Sequence, residues 1–374
     1  MPLTLPAVPN ALGNIRNVFT SGLLSLQGLA NPLNLSHKQK VIVILIDGLG
    51  AEQIMQRSGH APWLNSLLNK KSISVCGFPA TTSANIASFA TGDSPGQHGL
   101  VGHRVWDRKH DEQINLLVGW NERTDPRVWQ PRQTVSERAL ALGLQCNVVA
   151  ASEYRDTGYT EATMREANFI AANTWQEKFE AARAIVNSKQ QSLTYLYLPE
   201  LDKFGHQNGW SSSGWAAMLE ELDAMLRSFC EQVPKDTGVV ITADHGMIET
   251  SKPRQLVLDD SYDKSGSVQF VGGDTRVNYV YLDDIGAVDQ VVADLEPFSY
   301  AFDAVRTEEA IAANWFGEVL QPARDRLPEL MLLAKSDFTL YHSKYFKSRS
   351  FDMIAHHGSL SPAEIRVPLI RIGF

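Results

Sequence analysis

The chain has 374 residues, a formal net charge of −8, 44% hydrophobic and 20% charged residues, a composition that supports a sizeable buried core and excludes a disordered chain. The acidic balance argues against duplex nucleic acid as a partner, which would call for a clustered basic stripe. Cys76, Cys146 and Cys230 are odd in number and far apart, so no disulfide framework is expected and a reducing, cytoplasmic setting fits.

Residues 1–36, rich in Pro, Asn, Leu and Gly, read as an irregular N-terminal arm or short helix packed on the core. Pro2, Pro6 and Pro9 interrupt any leader-like apolar stretch, and no run approaches the ~18 apolar residues of a membrane span, so neither a leader nor a membrane partner is expected. Val41 to Ile46 is an unbroken apolar run, the pattern of a strand buried on both faces of a parallel sheet, and Asp47-Gly48 ends it. A helical stretch over 51–70 follows, then a short strand at 72–75. Phe78 to Asn85 leads into a small-residue helix reaching about Thr91, which places Thr82 near a helix N-terminus, where unpaired N–H groups favour anions.

Strands are expected at 146–150 and 193–198, with helices at 134–142 and 174–188, and a long helix over 211–233 leads into the strand that ends at Asp244-His245. Strands alternating with helices imply a mostly parallel sheet with helices on both faces. From 251 to 350 the pattern changes to a hairpin-like pair, 269–274 and 277–282, followed by helices at 286–295 and 307–316. This segment reads as an inserted α+β subdomain that interrupts a core formed by 37–250 and 351–374. The chain rejoins that core at His356-His357-Gly358 and closes with the strand around Val367 to Ile370.

A strand that ends in a metal-ligand residue presents it at the carboxyl edge of the sheet, where open α/β folds build their sites. Four such stations recur: Asp47, the Asp202 and His206 pair, Asp244-His245, and His357. Asp202 and His206 are four apart, on one face of a helical turn. One ion could take both, with His357 completing a three-ligand set. Asp47, Asp244 and His245 would form a second set with the Thr82 hydroxyl. Two ions about 4 Å apart suit in-line displacement at phosphorus, and a bound hydroxyl has its pKa depressed. Each station alone reads equally well as a turn or a solvated helix face; their joint occurrence at strand ends is what points to metal.

These residues carry a resemblance to the alkaline phosphatase superfamily, and within it to the nucleotide pyrophosphatase/phosphodiesterase branch. The matching pieces are Ile-Asp-Gly-Leu at 46–49, Phe-Pro-Ala-Thr-Thr-Ser-Ala-Asn at 78–85, Ala-Thr-Gly-Asp-Ser-Pro-Gly-Gln-His-Gly at 90–99, Leu-Pro-Glu-Leu-Asp-Lys-Phe-Gly-His at 198–206, Thr-Ala-Asp-His-Gly-Met at 242–247 and His-Gly at 357–358. The resemblance implies an alkaline-phosphatase-like α/β fold, a three-layer αβα core. It implies that Asp202, His206 and His357 hold one zinc, and that Asp47, Asp244, His245 and Thr82 hold the other. Thr82 would be the nucleophile that forms a covalent phosphothreonine, and Asn85 would donate to a non-bridging phosphoryl oxygen. Chemistry alone permits Thr81 as well as Thr82, and His356 as well as His357; the three-residue offset to Asn85 favours Thr82, and the His-Gly pairing favours His357.

The function expected is two-metal hydrolysis of phosphodiester or pyrophosphate bonds in a small anionic phosphate ester such as a nucleotide. Zinc is the expected metal, with manganese, iron or magnesium as substitutes. A phosphate monoesterase or a phosphonate hydrolase of the same superfamily are alternatives, and outside enzymes a catalytically silent metal- or nucleotide-binding module. A sulfatase is excluded by the lack of a Cys/Ser-x-Pro-x-Arg motif around 76–85. His98 reads as a loop-fixing residue, His103, Arg104 and Trp106 as candidates for the substrate mouth, Glu200 as a neighbour of the first metal or a strand end, and Cys76 as a buried small apolar residue. Substrate, oligomeric state and the role of 251–350 stay open.

Overall fold

An apolar run with no polar interruption must be covered on both faces, and Lys40–Ile46 is: all seven of its residues are buried. The computed structural model describes residues 14–346 and 348–374, so the expectation for residues 1–13 of the arm lies outside the described residues. Lys40–Ile46 is central in a seven-stranded sheet whose order runs Ile73–Val75, Arg366–Ile372, Thr237–Thr242, Lys40–Ile46, Ser192–Leu198, Gln145–Ala150, Asn168–Ala171. The last five of these are mutually parallel. Arg366–Ile372 runs antiparallel to both of its neighbours.

Helices cover this sheet in two groups. Arg16–Leu26, Thr82–Thr91 and Val135–Ala141 contact one another, and Phe19 of the first stacks on Phe89 of the second at 4.6 Å and meets Tyr195 of the sheet edge-on. Trp175–Val186 and Ser213–Gln232 form a second group joined through Phe179 and Phe229, with centroids 5.6 Å apart. The expected helix over 51–70 is two helices, Ala51–Gln56 and Pro62–Leu67. Pro62 explains the break: its ring disfavours helical backbone at Ala61, while its missing N–H is tolerated in a first turn.

A second, antiparallel sheet in the order Val268–Asp274, Val277–Leu282, Leu330–Ala334, Phe302–Arg306 lies within 251–350. It does not stand apart. Phe270, Tyr279 and Met331 share one apolar cluster with Leu100, Val105 and Trp129, and with Phe78 and Ala87 of the segment around Thr82. The Tyr279 hydroxyl donates to the Val101 carbonyl at 2.6 Å. Elements beyond the expected ones include the hairpin of Arg104–Asp107 with Glu112–Asn115 and the helix Gly158–Thr163. No helix among the described residues is long and apolar enough to cross a membrane.

Because Phe19 joins the amino-terminal helix both to Phe89 and to the sheet, Phe19→Ala is expected to lower stability by ~3–5 kcal/mol, read from the urea unfolding free energy. A loss under ~1 kcal/mol would mean that this helix is not anchored there.

Candidate metal centre and active site

Three adjacent parallel strands deliver the acidic groups. Asp47 follows Lys40–Ile46 directly, Asp244 follows Thr237–Thr242 after Ala243, and Asp202 lies in the helix Glu200–Asn208 that leaves Ser192–Leu198. Gly48 lets them converge: it has φ +71°, and a Cβ there would stand 2.9 Å from Asp202 Oδ1. The Gly48 N–H donates to Asp244 Oδ1 at 3.4 Å.

Two groups of ligand-type side chains share His245. Asp47, Asp244 and His245 form one, and Asp202, His245 and His357 the other, all of them buried. His245 Nε2 lies 3.3 Å from Asp47 Oδ1 and 3.5 Å from Asp244 Oδ2. His206 Nε2 lies 3.3 Å from Asp202 Oδ2, which brings His206 to the second group through that carboxylate. The rings of His245 and His357 stack at 3.6 Å, with that of His206 5.2 Å from His357.

Each histidine has its Nδ1 at a backbone carbonyl: His206 at Ala355, 2.8 Å, His357 at Ala80, 2.8 Å, and His245 at Gly246, 3.2 Å. A ring that donates from Nδ1 keeps Nε2 as a lone-pair donor, the arrangement that orients imidazole for a cation. Meanwhile Asp47 Oδ1, Asp202 Oδ1 and Asp244 Oδ2 are buried with no hydrogen-bond partner. Buried carboxylate oxygens are costly without a counter-charge, so this donor set fits divalent cations.

The protonation tendencies have the same origin. Burial pushes Asp47 well above the ordinary carboxylate range, with Asp244 and Asp202 adding to it. Burial, then Asp202, lifts Asp244 to about 7. Burial would raise Asp202 too, but His206, followed by His357 and His245, holds it below the usual range. Burial opposes the charging of His206, yet Asp202 raises it to about 9. Burial and the stacked His357 keep His245 well below its ordinary value.

Thr82 opens the helix Thr82–Thr91, and its Oγ1 lies 3.1 Å from His245 Nε2. Thr81, by contrast, is the 1%-exposed residue before that helix, and its hydroxyl faces Ser83 at 3.4 Å. The geometry therefore selects Thr82 as the hydroxyl at the cluster. It selects His357 over His356 in the same way, because both ring nitrogens of His356 are engaged, by the Thr275 hydroxyl at 2.9 Å and the Met353 carbonyl at 3.2 Å.

Asn85, which the resemblance implies as a donor to a phosphoryl oxygen, is held by backbone groups in this structure. Its Oδ1 accepts from the Gly77 N–H at 2.6 Å, and its Nδ2 donates to the carbonyls of Pro79 and Thr81, both at 3.2 Å. Fully buried, it shapes the loop before Thr82. Three residues along the helix from Thr82, the side chain turns back beneath the preceding loop.

The other candidates settle as follows. His98 is a neutral buried ring, pushed down to about 3 by burial, that accepts from the Leu100 N–H and bonds the Ser88 hydroxyl. Arg104 lies over the Phe346 ring at 3.8 Å and Trp106 stacks on Phe270 at 4.9 Å, so both pack against the 251–350 segment. His103 faces the Asn115 amide at 3.1 Å. Glu200 pairs with the fully buried Lys178, and Cys76 is buried.

Two tyrosines had no signal of their own in the sequence. The Tyr197 hydroxyl donates to Asp47 Oδ2, and that of Tyr159 to the carbonyls of Thr82 and Ser83 at 3.1 and 2.9 Å. Tyr197 could have been found from its place at the end of the strand that precedes Asp202. Beside Thr82 and Asp47 opens a cavity of about 380 Å³, lined among others by Ile86, Leu117, Tyr154, Met164 and Phe169.

Comparison with known proteins bears on this arrangement. The family profile described as type I phosphodiesterase / nucleotide pyrophosphatase matches residues 41–360. Ectonucleotide pyrophosphatase/phosphodiesterase 1 of Saccharomyces cerevisiae is 24% identical over 261 residues, covering 58% of this chain and 35% of that protein. Human bis(5'-adenosyl)-triphosphatase ENPP4 is 23% identical over 265 residues, covering 66% of this chain and 55% of that one. The chain thus spans about a third to a half of the length of these relatives. Among solved structures, murine ectonucleotide pyrophosphatase / phosphodiesterase 5 superposes with a TM-score of 0.67 at 18% identity, covering 88% of this chain and 87% of that one. An inactive threonine-to-alanine variant of that protein in complex with AMP gives the same TM-score, with 89% of this chain covered. The alkaline-phosphatase-like α/β fold expected from the sequence therefore stands.

A pH dependence follows for the metal-free protein. Asp47 and Asp244, raised on folding, contribute stability below the unfolded carboxylate pKa of about 4; Asp244 loses its contribution as the pH rises toward 7 and Asp47 as the pH rises above the ordinary carboxylate range, while raised His206 loses its contribution between about 6.5 and 9. Asp202, held low, loses its contribution only in acid. A divalent ion competes with these protons, so the rise in Tm on adding zinc to stripped protein is expected to grow from about pH 5 to pH 8. Scanning calorimetry checks this, and a pH-independent shift contradicts it.

Proposed function

Because the chain belongs to the type I phosphodiesterase / nucleotide pyrophosphatase family, we propose that it hydrolyses phosphodiester or pyrophosphate bonds, with Thr82 as nucleophile. The observation that carries this reading is the position of Thr82 Oγ1, 3.1 Å from His245 Nε2 and beside three buried carboxylates that retain unpartnered oxygens. Asp47, Asp244, His245 and Thr82 would hold one divalent ion, and Asp202, His206 and His357 the other; the mixture of imidazole and carboxylate donors favours zinc. When bound, the ions lower the pKa of the Thr82 hydroxyl and of water and offset charge on the phosphoryl oxygens.

The chain's own residues supply the remainder. Thr82 Oγ bonds to phosphorus as the bond to the leaving oxygen breaks, and water then cleaves the phosphothreonine, returning the threonine hydroxyl and a phosphate product. Tyr159 fixes the backbone of Thr82 and Ser83, and Tyr197 fixes Asp47, so the nucleophile is held without reorganisation. The threonine-to-alanine variant of the murine neighbour that is described as inactive supports a threonine nucleophile.

The cavity beside Thr82 suits the organic group of the ester. Apart from Thr82, the acidic cluster and the Glu153–Lys203 ion pair at its rim, its lining is mainly apolar and aromatic, with the Thr160 hydroxyl on the Tyr154 carbonyl at 2.6 Å and that of Thr163 on the Tyr159 carbonyl at 2.7 Å. Such a lining accepts a planar ring by stacking, and the AMP complex of the murine neighbour favours a nucleotide. The cytoplasmic setting also stands as a proposal: its support is that all three cysteines are free and buried, while several relatives are named as ecto-enzymes.

Thr82→Ala is expected to keep its metals by elemental analysis yet lose at least about a thousandfold in kcat on bis-p-nitrophenyl phosphate; near-parental turnover sinks the nucleophile. Running p-nitrophenyl phosphate and an aryl phosphonate ester alongside separates diesterase from monoesterase and phosphonate hydrolase. Filling the cavity with Met164→Trp should raise KM for a nucleotide ester roughly tenfold while kcat on a small aryl ester holds. An unchanged KM would remove the cavity from the substrate path.

A further inference from the structure

The turn Asp274 to Arg276, between the strands Val268–Asp274 and Val277–Leu282, lies against the loop that carries His357: a Cβ at Gly358 would stand 3.5 Å from the Cβ atoms of Asp274 and Arg276. Arg276 is fully buried there. Its Nε and Nη2 fork onto Glu364 Oε1 and Oε2 at 3.2 and 3.1 Å, and Nη1 donates to the Phe338 carbonyl. Glu364 is fully buried as well. Its Oε1 also accepts the Ser359 N–H at 2.9 Å, and its Oε2 the Ser361 hydroxyl at 2.6 Å.

Through its backbone the same glutamate reaches the other ligand loop, because its carbonyl accepts the Gly246 N–H at 2.8 Å. One residue thereby binds the chain just after His357 and the chain just after His245. Next to Arg276, the Thr275 hydroxyl holds His356 Nδ1 at 2.9 Å. On the far side of the loop the Gly358 carbonyl accepts the Ala80 N–H at 3.1 Å, close to Thr82.

A buried ion pair is a poor way to gain stability, since an apolar pair of similar volume often does as well or better. What a bidentate guanidinium–carboxylate pair adds is direction: two parallel bonds fix the plane and azimuth of both groups. With the Glu364 oxygens also bonded to Ser359 and Ser361, that direction passes to the loop carrying His357 and, by the Gly246 bond, to His245. Those two rings stack at 3.6 Å, so a small shift of either loop alters the donor geometry.

We infer that Arg276 is a positioning residue for the metal centre, acting through Glu364 on His357 and His245, and that the 251–350 segment is therefore part of that centre. The inference rests on the two-metal reading above.

The test uses the full chain, stripped and reloaded with zinc, in the Arg276→Met/Glu364→Leu double variant and in Arg276→Lys. Three quantities are read: Tm of the metal-free protein, zinc retained against a graded chelator, and kcat and KM on bis-p-nitrophenyl phosphate. In the double variant the metal-free Tm is expected to hold while zinc affinity falls by about 10- to 100-fold. Its kcat should drop with KM little changed, because the cavity for the organic group lies elsewhere. Arg276→Lys keeps the charge but not the fork and should fall between parent and double variant. Zinc affinity and kcat within about twofold of the parent in both variants overturn the inference. Should the double variant fail to fold, Arg276→Lys decides by the same readouts. A parent that binds no zinc overturns the two-metal reading and this inference with it, whereas a zinc-binding parent with indifferent variants overturns this inference alone.

Discussion

Three carboxylates gathered in a water-poor space are the constraint on which the rest of the structure depends. Asp47, Asp202 and Asp244 are all buried, and each keeps one oxygen without a hydrogen-bond partner. Left uncompensated, such groups would protonate or draw in water, and the upward displacement of Asp47 and Asp244 is that tendency. The fold nevertheless forces them together, because they stand at the same ends of neighbouring parallel strands and Gly48 removes the side chain that would hold Asp202 away. A structure that accepts this cost in its interior is prepared for cations.

The surroundings make sense in that light. Three imidazoles have Nδ1 tied to main-chain carbonyls, so each offers its other nitrogen. Tyr197 occupies one oxygen of Asp47 and leaves the second for the centre. Apolar packing does the remainder: the helix that begins at Thr82 lies between the sheet cluster, through Phe89, and the cluster of the second sheet, through Ala87. The position of Thr82 is thus fixed by packing against both sheets.

Legibility differed by the range of the physics involved. The Asp47, Asp202, His206, Asp244, His245 and His357 stations could be read because each follows a strand or occupies a helical turn, and local pattern places it. The three-residue offset to Asn85 favours Thr82 over Thr81, and the structure brings the Thr82 hydroxyl to His245. For Asn85 the sequence offset says nothing of which backbone groups surround the side chain, and here three of them engage it. The helix over 51–70 was joined in error across Pro62, a purely local signal. The sharing of His245 between two ligand groups depends on how closely two loops, more than 100 residues apart in the chain, approach each other.

By itself the sequence determined the alternation of strands and helices, the parallel core and the residue types that meet at its carboxyl edge, since apolar periodicity and strand-end chemistry act within a few residues of one another. Only the tertiary structure decided that Arg276 grips Glu364, that Tyr197 and Tyr159 brace Asp47 and Thr82, and that 99–130 and 251–350 share one apolar cluster. Those contacts join residues tens to hundreds of positions apart. Their formation is set by how the packed elements close on one another, and no window of the chain carries that information.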